Sequence, residues 1–300
     1  MAALEIKQIR GNTWYIPSPA NIGVYEDNGN AVLIDSGNDK EAGRQICRLI
    51  ESLGWKLSMI INTHSNADHA GGNAFIQNKT GCRIAATGVE AAFIQNPVLE
   101  PAFLFGGFPH KGLRNKFLMA NESKVTDVIE PGDMVAVPGG SAKLETISLP
   151  GHFFGMIGIK TPDNVIFLAD TLFSEHIVNK YSVFYLFDIE EHLKTLEMIE
   201  SLEADYFLPS HAELTDNVKN LISINRAKIM EISSNIADIC SEEIEFDGIL
   251  SGLCSLYNIE LNDNQYVLVQ STIKAYLVYL MQKGVISREY RGGRLFWKKL

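Results

Sequence analysis

Apolar and polar positions follow two rhythms in the first half of the chain. Short apolar runs that end in turn residues predict buried strands: Ala31-Val32-Leu33-Ile34-Asp35 before Ser36-Gly37, Met59-Ile60-Ile61-Asn62, and Arg83-Ile84-Ala85-Ala86. Between the first two runs, Ala42, Ile46, Leu49, Ile50 and Leu53 recur at helical spacing, predicting a helix over 40–53 closed by Gly54. A further helix is expected over 71–79. Residues 96–120 break the pattern, with Phe103, Phe105, Phe108, Phe117 and three prolines in a segment of little periodicity. Its length predicts a functional loop, and its aromatic content argues against disorder. Short strands are then predicted over 134–137, 143–149, 157–159 and 165–169, separated by Gly, Pro or Asp-Asn turns. Asp188, with Glu191 three residues on, predicts a capped helix over 188–202. Tyr206-Phe207-Leu208 reads as a last strand, and a long helix follows at 217–240.

The pattern changes near residue 243. Two helices are expected over 246–256 and 266–283, then two short strands around Gly292-Gly293, which make a hairpin. This arrangement suggests a small winged-helix-like domain over 244–300, attached to a larger domain over 1–243. The hairpin region carries Lys283, Arg288, Arg291, Arg294, Lys298 and Lys299 against Glu289, interleaved with Tyr290, Phe296 and Trp297. Such a wing could touch nucleic acid. A solvated hairpin whose aromatics pack on its own helices fits better, because the 300-residue chain is acidic, with net charge −10. Cys47, Cys82, Cys240 and Cys254 are scattered, with no C-x-x-C pair, and read as buried thiols. The opening Met1-Ala2-Ala3-Leu4-Glu5-Ile6-Lys7 lacks the features of a signal peptide, and no apolar run is long enough to span a bilayer. A cytoplasmic protein with no membrane partner is the expectation.

Candidate chemistry sits at strand ends. Four of the seven histidines lie there, each beside a turn-forming residue. His64 and His69 share the loop Thr63-His64-Ser65-Asn66-Ala67-Asp68-His69-Ala70-Gly71-Gly72. His152 follows Leu149-Pro150-Gly151, and His211 follows Leu208-Pro209-Ser210. Asp170 ends the run Val165-Ile166-Phe167-Leu168-Ala169, and Asp68 joins from the first loop. Imidazoles and carboxylates gathered at a sheet edge suit Zn²⁺ or a similar borderline metal.

The order of these donors resembles the metallo-β-lactamase superfamily, whose motif is His-x-His-x-Asp-His followed by a later His, an Asp and a final His. Here it stands as His64-Ser65-Asn66-Ala67-Asp68-His69, His152, Asp170 and His211. Leu33-Ile34-Asp35-Ser36-Gly37 and Ala169-Asp170-Thr171-Leu172-Phe173 also match the family pattern, and the resemblance covers about residues 5–215. It implies an α/β fold of the α+β kind, an αββα sandwich with metals at one edge. Residue by residue, it implies one metal at His64, the Asn66 position and His152, a second at Asp68, His69 and His211, and Asp170 between them. The implied activity is hydrolysis by a metal-bound hydroxide, with two Zn²⁺ ions and Asp68 orienting the nucleophile or passing a proton to the leaving group.

One position departs from the family. Asn66 stands where a histidine is expected, and an amide oxygen is the harder, weaker donor toward zinc. It could weaken the first site, favour Mn²⁺ or Fe²⁺, or hydrogen-bond to a bound water. A binuclear site with a weakened first position is expected. Asp35 is a candidate to orient a ligating imidazole, or a simple turn residue. His176 follows the Asp170 loop closely enough to approach a substrate, and Tyr181 lies in the aromatic segment 181–187; that segment and 103–108 are pocket walls, or core or dimer packing. His192 is expected to be exposed in the first turn of its helix. The function expected is turnover of a small ester, thioester or amide. A metallo-nuclease, or a non-catalytic nucleic-acid-binding regulator, is the alternative, and a homodimer is compatible with the sequence.

Overall fold

The computed structural model describes residues 4–300; Met1, Ala2 and Ala3 of the opening segment lie outside the described residues. The chain runs β1 (Lys7–Arg10), β2 (Thr13–Ile16), β3 (Ile22–Asp27), β4 (Asn30–Ile34), α1 (Lys40–Ser52), β5 (Lys56–Ile61), α2 (Ala67–Ala70), α3 (Asn73–Thr80), β6 (Arg83–Ala86), α4 (Gly88–Gln95), α5 (Leu99–Phe105) and β7 (Asp127–Val128). The second half follows with β8 (Met134–Ala136), β9 (Lys143–Ser148), β10 (Ile157–Lys160), β11 (Val165–Phe173), α6 (Glu175–Tyr181), α7 (Ile189–Glu200), β12 (Tyr206–His211) and α8 (Lys219–Ile239). The C-terminal segment holds β13 (Ile244–Glu245), α9 (Phe246–Tyr257), α10 (Asp263–Gln282), β14 (Ile286–Arg291) and β15 (Arg294–Lys299).

Strands β1 to β7 form one sheet in sequence order, and β12-β11-β10-β9-β8 form a second. Alternation along buried strands sorts side chains between layers. Val32, Ile34, Met59 and Ile61 point to the inner core, where they meet Leu144, Ile157, Ile159 and Phe167 of the second sheet. Leu33 and Ile60 point the other way, onto Ile46 and Ile50 of α1 and Ile76 of α3. Ile166 and Leu168 likewise face α7 and α8 through Leu196, Ile229 and Ile232. The layers are therefore helix, sheet, sheet, helix, as expected. The expected strands and helices are present, most displaced at their ends by a few residues.

Two expectations need correction. The segment over 96–120 is not wholly irregular: it contains α5, and Leu104, Leu113 and Leu118 pack against Val267 of α10. Of its aromatics, Phe103 packs with Phe154 and Phe187, while Phe105, Phe108 and Phe117 stay exposed. His192 is fully buried rather than exposed, because Asp188 caps α7 just ahead of it and the Pro150–Gly151 turn crosses the helix there.

The hydrophobic core on the outer face of the second sheet continues into residues 244–300. Ile249, Leu253, Ile273, Tyr276, Leu277 and Trp297 share it with α7 and α8. The hairpin's basic side chains are largely paired within the chain. Arg291 pairs with Glu243, Arg294 with Glu245, Lys299 with Asp238 and Lys283 with Glu190. All four cysteines are free. No helix among the described residues is long and apolar enough to cross a membrane.

Candidate metal centre

The four strand-end histidines, two aspartates and Asn66 meet at one edge of the sandwich. Strands β4 and β5 are parallel, and their carboxyl ends deliver Asp35 and the Thr63–His69 loop side by side. The loop turns at once into α2, and Ser36 N and Oγ both donate to the His69 carbonyl at 2.8 and 3.0 Å. This close approach needs Gly72, since a Cβ there would lie 2.2 Å from the Ser36 carbonyl oxygen. Asp170 lies within β11, where the register with β12 breaks on both sides of Ala169 and Ala169 has φ of +49°. A bulge of this kind re-aims a side chain out of the ladder. His211 ends β12, and His152 lies in the loop after β9.

The outer nitrogen of each imidazole is already committed. His69 Nδ1 lies 2.9 Å from Asp35 Oδ2, His152 Nδ1 3.1 Å from the Tyr185 carbonyl, and His211 Nδ1 2.8 Å from the Pro19 carbonyl. Thr63 Oγ1 donates to Asp35 Oδ2 at 2.7 Å and is 3.0 Å from His64 Nδ1, so it accepts from that ring. All four Nδ1 atoms thus act as donors to oxygen, which leaves each Nε2 as the inward, lone-pair-bearing atom. His69 Nε2 is 3.2 Å from Asp170 Oδ1, and His211 Nε2 is 3.2 Å from Asp170 Oδ2 and 3.4 Å from Asp68 Oδ2. His152 Nε2 is 3.5 Å from Asp170 Oδ2 and 3.2 Å from Asn66 Oδ1.

This donor set fits divalent metal. Among the described residues, His64 Nε2, His69 Nε2 and Asp170 Oδ1 are buried without a hydrogen-bond partner, a cost a native structure rarely leaves unmet. Donor atoms of His64, His69 and Asp170 lie within 4.8 Å of one another, and so do those of Asp68, His69 and His211. The second group matches the expected set. The first joins His64 to His69 and Asp170, while Asn66 and His152 adjoin it through the 3.2 Å contact.

The charges are strongly coupled. Burial alone would raise Asp170, yet His211 and His69 hold it well below the usual carboxylate range. Burial would likewise lower His69 and His211, but Asp170 and Asp68 push His69 well up and His211 to about 10. His64 is driven well down by burial and by His69, and His152 is lowered chiefly by burial.

Of the remaining expected residues, Asp35 binds His69 and also accepts from Thr63 N at 2.8 Å. Tyr181 stands exposed at the rim of a cavity of about 780 Å³ whose floor includes Asp68, His152 and His211. His176 is exposed in a neighbouring groove that also reaches His211. Val183, Phe184, Tyr257, Ile259, Leu268 and Val269 wall the main cavity, so α9, α10 and their connection line it directly.

Two buried acids escaped the sequence reading. Glu90 on α4 accepts from Ser65 N at 2.8 Å and Gly155 N at 2.7 Å, tying the histidine loop to the loop of His152. Glu100 on α5 accepts from Asn66 Nδ2 at 2.9 Å. Burial pushes both carboxyls up, Glu100 well above the ordinary value. Their signal was available: each is a lone acid in an otherwise apolar helical run, Gly88-Val89-Glu90-Ala91-Ala92-Phe93 and Val98-Leu99-Glu100-Pro101-Ala102-Phe103.

A helix–sheet–sheet–helix sandwich with convergent His and Asp donors at one edge defines a metal-binding α/β class. The family model for the metallo-β-lactamase superfamily matches residues 15–211, and the chain belongs to that superfamily. Among curated relatives, a hydroxyacylglutathione hydrolase of Rhodospirillum rubrum is 31% identical over 45% of this chain and 42% of its own length. One from Rhodopseudomonas palustris is 28% identical over 58% of this chain and 56% of its own length. The chain thus spans about half the length of these relatives. A β-lactamase domain protein from Burkholderia ambifaria has a similar structure, with TM-score 0.75, 18% identity, and 99% and 94% of the two chains covered. A metallo-β-lactamase family protein from Thermus thermophilus gives TM-score 0.74 at 18% identity, covering 99% of both chains. At that identity the likeness concerns the fold, and it extends over the C-terminal segment.

Proposed function

We propose that this protein is a cytoplasmic, metal-dependent hydrolase of a small ester, thioester or amide whose acyl or leaving part is apolar. The observation that carries the reading is the set of four imidazoles with outer nitrogens committed and inner nitrogens gathered around the buried Asp170, next to a cavity lined by Asp68, His152 and His211. His64, Asn66 and His152 would hold one ion and Asp68, His69 and His211 the other, with Asp170 between; we assign zinc to both, with a harder ion such as Mn²⁺ or Fe²⁺ tolerated beside Asn66. Bound divalent ions would supply Lewis-acid polarisation of the scissile carbonyl and a hydrolytic nucleophile at neutral pH. Asp68 faces the cavity and is the group we assign to take up a proton and deliver it to the leaving atom. The walls formed by Phe184, Ile259, Leu268 and Val269 exclude water and receive the apolar part. The relatives named hydroxyacylglutathione hydrolase favour a thioester as the bond broken.

Pairing of Arg291, Arg294, Lys283 and Lys299 with acids of the same chain supports a small-molecule substrate over nucleic acid. In this reading the winged-helix-like segment closes the substrate cavity. The test is zinc loading followed by a panel of thioesters and esters of graded acyl length, with Asp68→Ala as control. Turnover that rises with acyl length and disappears in Asp68→Ala is expected. Failure of the loaded protein to bind metal, or turnover unaffected by Asp68→Ala, sinks the proposal.

A further inference from the structure

Asn66 is the N-cap of α2, a position where an asparagine side chain ordinarily accepts from the first-turn amides. It makes no such bond. The side chain turns inward instead, its Nδ2 donating to Glu100 Oε1 at 2.9 Å and its Oδ1 lying 3.2 Å from His152 Nε2. Glu100 is 6% exposed and comes from α5, thirty-four residues further along the chain. The two ends of an amide differ only in their chemistry: oxygen can donate a lone pair to a metal, whereas NH₂ cannot. Glu100 Oε1 accepts from the Asn66 nitrogen, and that bond leaves the amide oxygen on the side of His152. A histidine at position 66 would not need such a partner to choose between the ends of an amide.

We propose that Glu100 is the positioning residue for the first metal position, turning the Asn66 amide so that its oxygen stands beside His152. Asn66 and Glu100 then act as a pair in place of one imidazole. The inference rests on the two-metal reading above. It predicts that residue 100 matters for metal only while residue 66 is asparagine.

The experiment titrates zinc into the full-length protein against a chromophoric chelator and records the visible spectrum of the cobalt-loaded form. It compares wild type, Glu100→Gln, Glu100→Ala, Asn66→His, and Asn66→His combined with each Glu100 change. Glu100→Ala should weaken one of two zinc equivalents about tenfold or more and alter the cobalt spectrum, the usual scale for losing a partner that orients a ligand. Glu100→Gln keeps the shape but can present NH₂ to Asn66, so it should weaken the same equivalent by a smaller factor. In the Asn66→His background, both Glu100 changes should alter affinity by less than about twofold, the mark of a coupled pair. A Glu100 effect as large in the Asn66→His background as in wild type would overturn the proposal, since that is what a purely structural role gives. Unchanged affinities in both single Glu100 variants would overturn it too. If Glu100→Ala does not fold, Glu100→Gln decides. If wild type binds no zinc, the two-metal reading falls with it; two equivalents in wild type that are indifferent to residue 100 sink only the role of Glu100.

Discussion

Asp35→Asn separates charge and hydrogen-bond direction from shape. Asp35 is 2% exposed and accepts three hydrogen bonds, from Thr63 N, Thr63 Oγ1 and His69 Nδ1. Its φ of +65° is one that asparagine adopts readily, so the substitution keeps backbone and volume. It replaces one of two acceptor oxygens by a donor. If the new NH₂ faces His69, donor meets donor and the ring must protonate Nε2 instead, turning a hydrogen toward Asp170. If it faces Thr63 N, the same clash falls on the backbone that carries His64. A buried hydrogen bond to a charged group is worth about 1.5–3 kcal/mol, so a loss of that size is expected in denaturant unfolding of the metal-free protein. Loss of a partner that orients a ligating histidine typically costs about 10–100-fold in metal affinity. Chelator competition should therefore show at least one zinc equivalent weakened by that factor. Full zinc affinity in Asp35→Asn, alongside the expected loss of stability, would refute the argument that Asp35 sets the His69 tautomer.

Three further outcomes follow from other parts of the structure. Gly151 has φ of +123°, and a Cβ there would stand 2.4 Å from His192 Cα, so Gly151→Ala should cost more than about 2 kcal/mol in unfolding and weaken metal binding through His152. His192 is held down to about 3 by burial and then by His152, against Asp170, and neither ring nitrogen has a partner among the described residues. A depressed imidazole costs nothing above its unfolded value, but stability falls as pH drops from about 6.5 toward 3, by about 1.4 kcal/mol per unit, while the unfolded chain takes up the proton and the folded one does not. The difference between wild type and His192→Leu should be constant above neutral pH and move in favour of the variant under acid; parallel pH profiles would contradict this. Leu268 walls the cavity from α10, so Leu268→Trp should raise KM for long acyl substrates over short ones with the metal content unchanged, and equal effects on both would argue that the cavity is not the acyl site.

Most of the sandwich could be read from local pattern. Apolar runs of strand length alternate with one amphipathic helix after another, and those periods depend on neighbouring residues alone. The expected donor positions could also be read, because the motif fixes their identities and spacing, although Asp170 lies within β11 and Asp68 and His69 lie in α2 rather than where a strand meets a turn. The strands β1 to β3 were not anticipated. β1 and β2 have four residues each and β1 is largely exposed, so their stability comes from pairing across the sheet rather than from a local signal; β3, six residues and mostly buried, carried an apolar run that was passed over. His192 was misjudged because a position in the first turn of a helix says nothing about which loop crosses it.

Sequence by itself determined the superfamily, the order of donors and the single departure at Asn66, since these are identities at fixed spacing. Only tertiary structure decided what surrounds them. Asp35, Thr63, Tyr185 and Pro19 supply the outer oxygens that turn each imidazole inward, Glu90 joins the two ligand loops, and Glu100 takes up the amide of Asn66. Likewise, the cavity takes one wall from α10 and the connection that precedes it, far along the chain from the histidine loop. These contacts join residues that no local period relates. They exist because buried polar groups must find partners wherever the packed layers bring them.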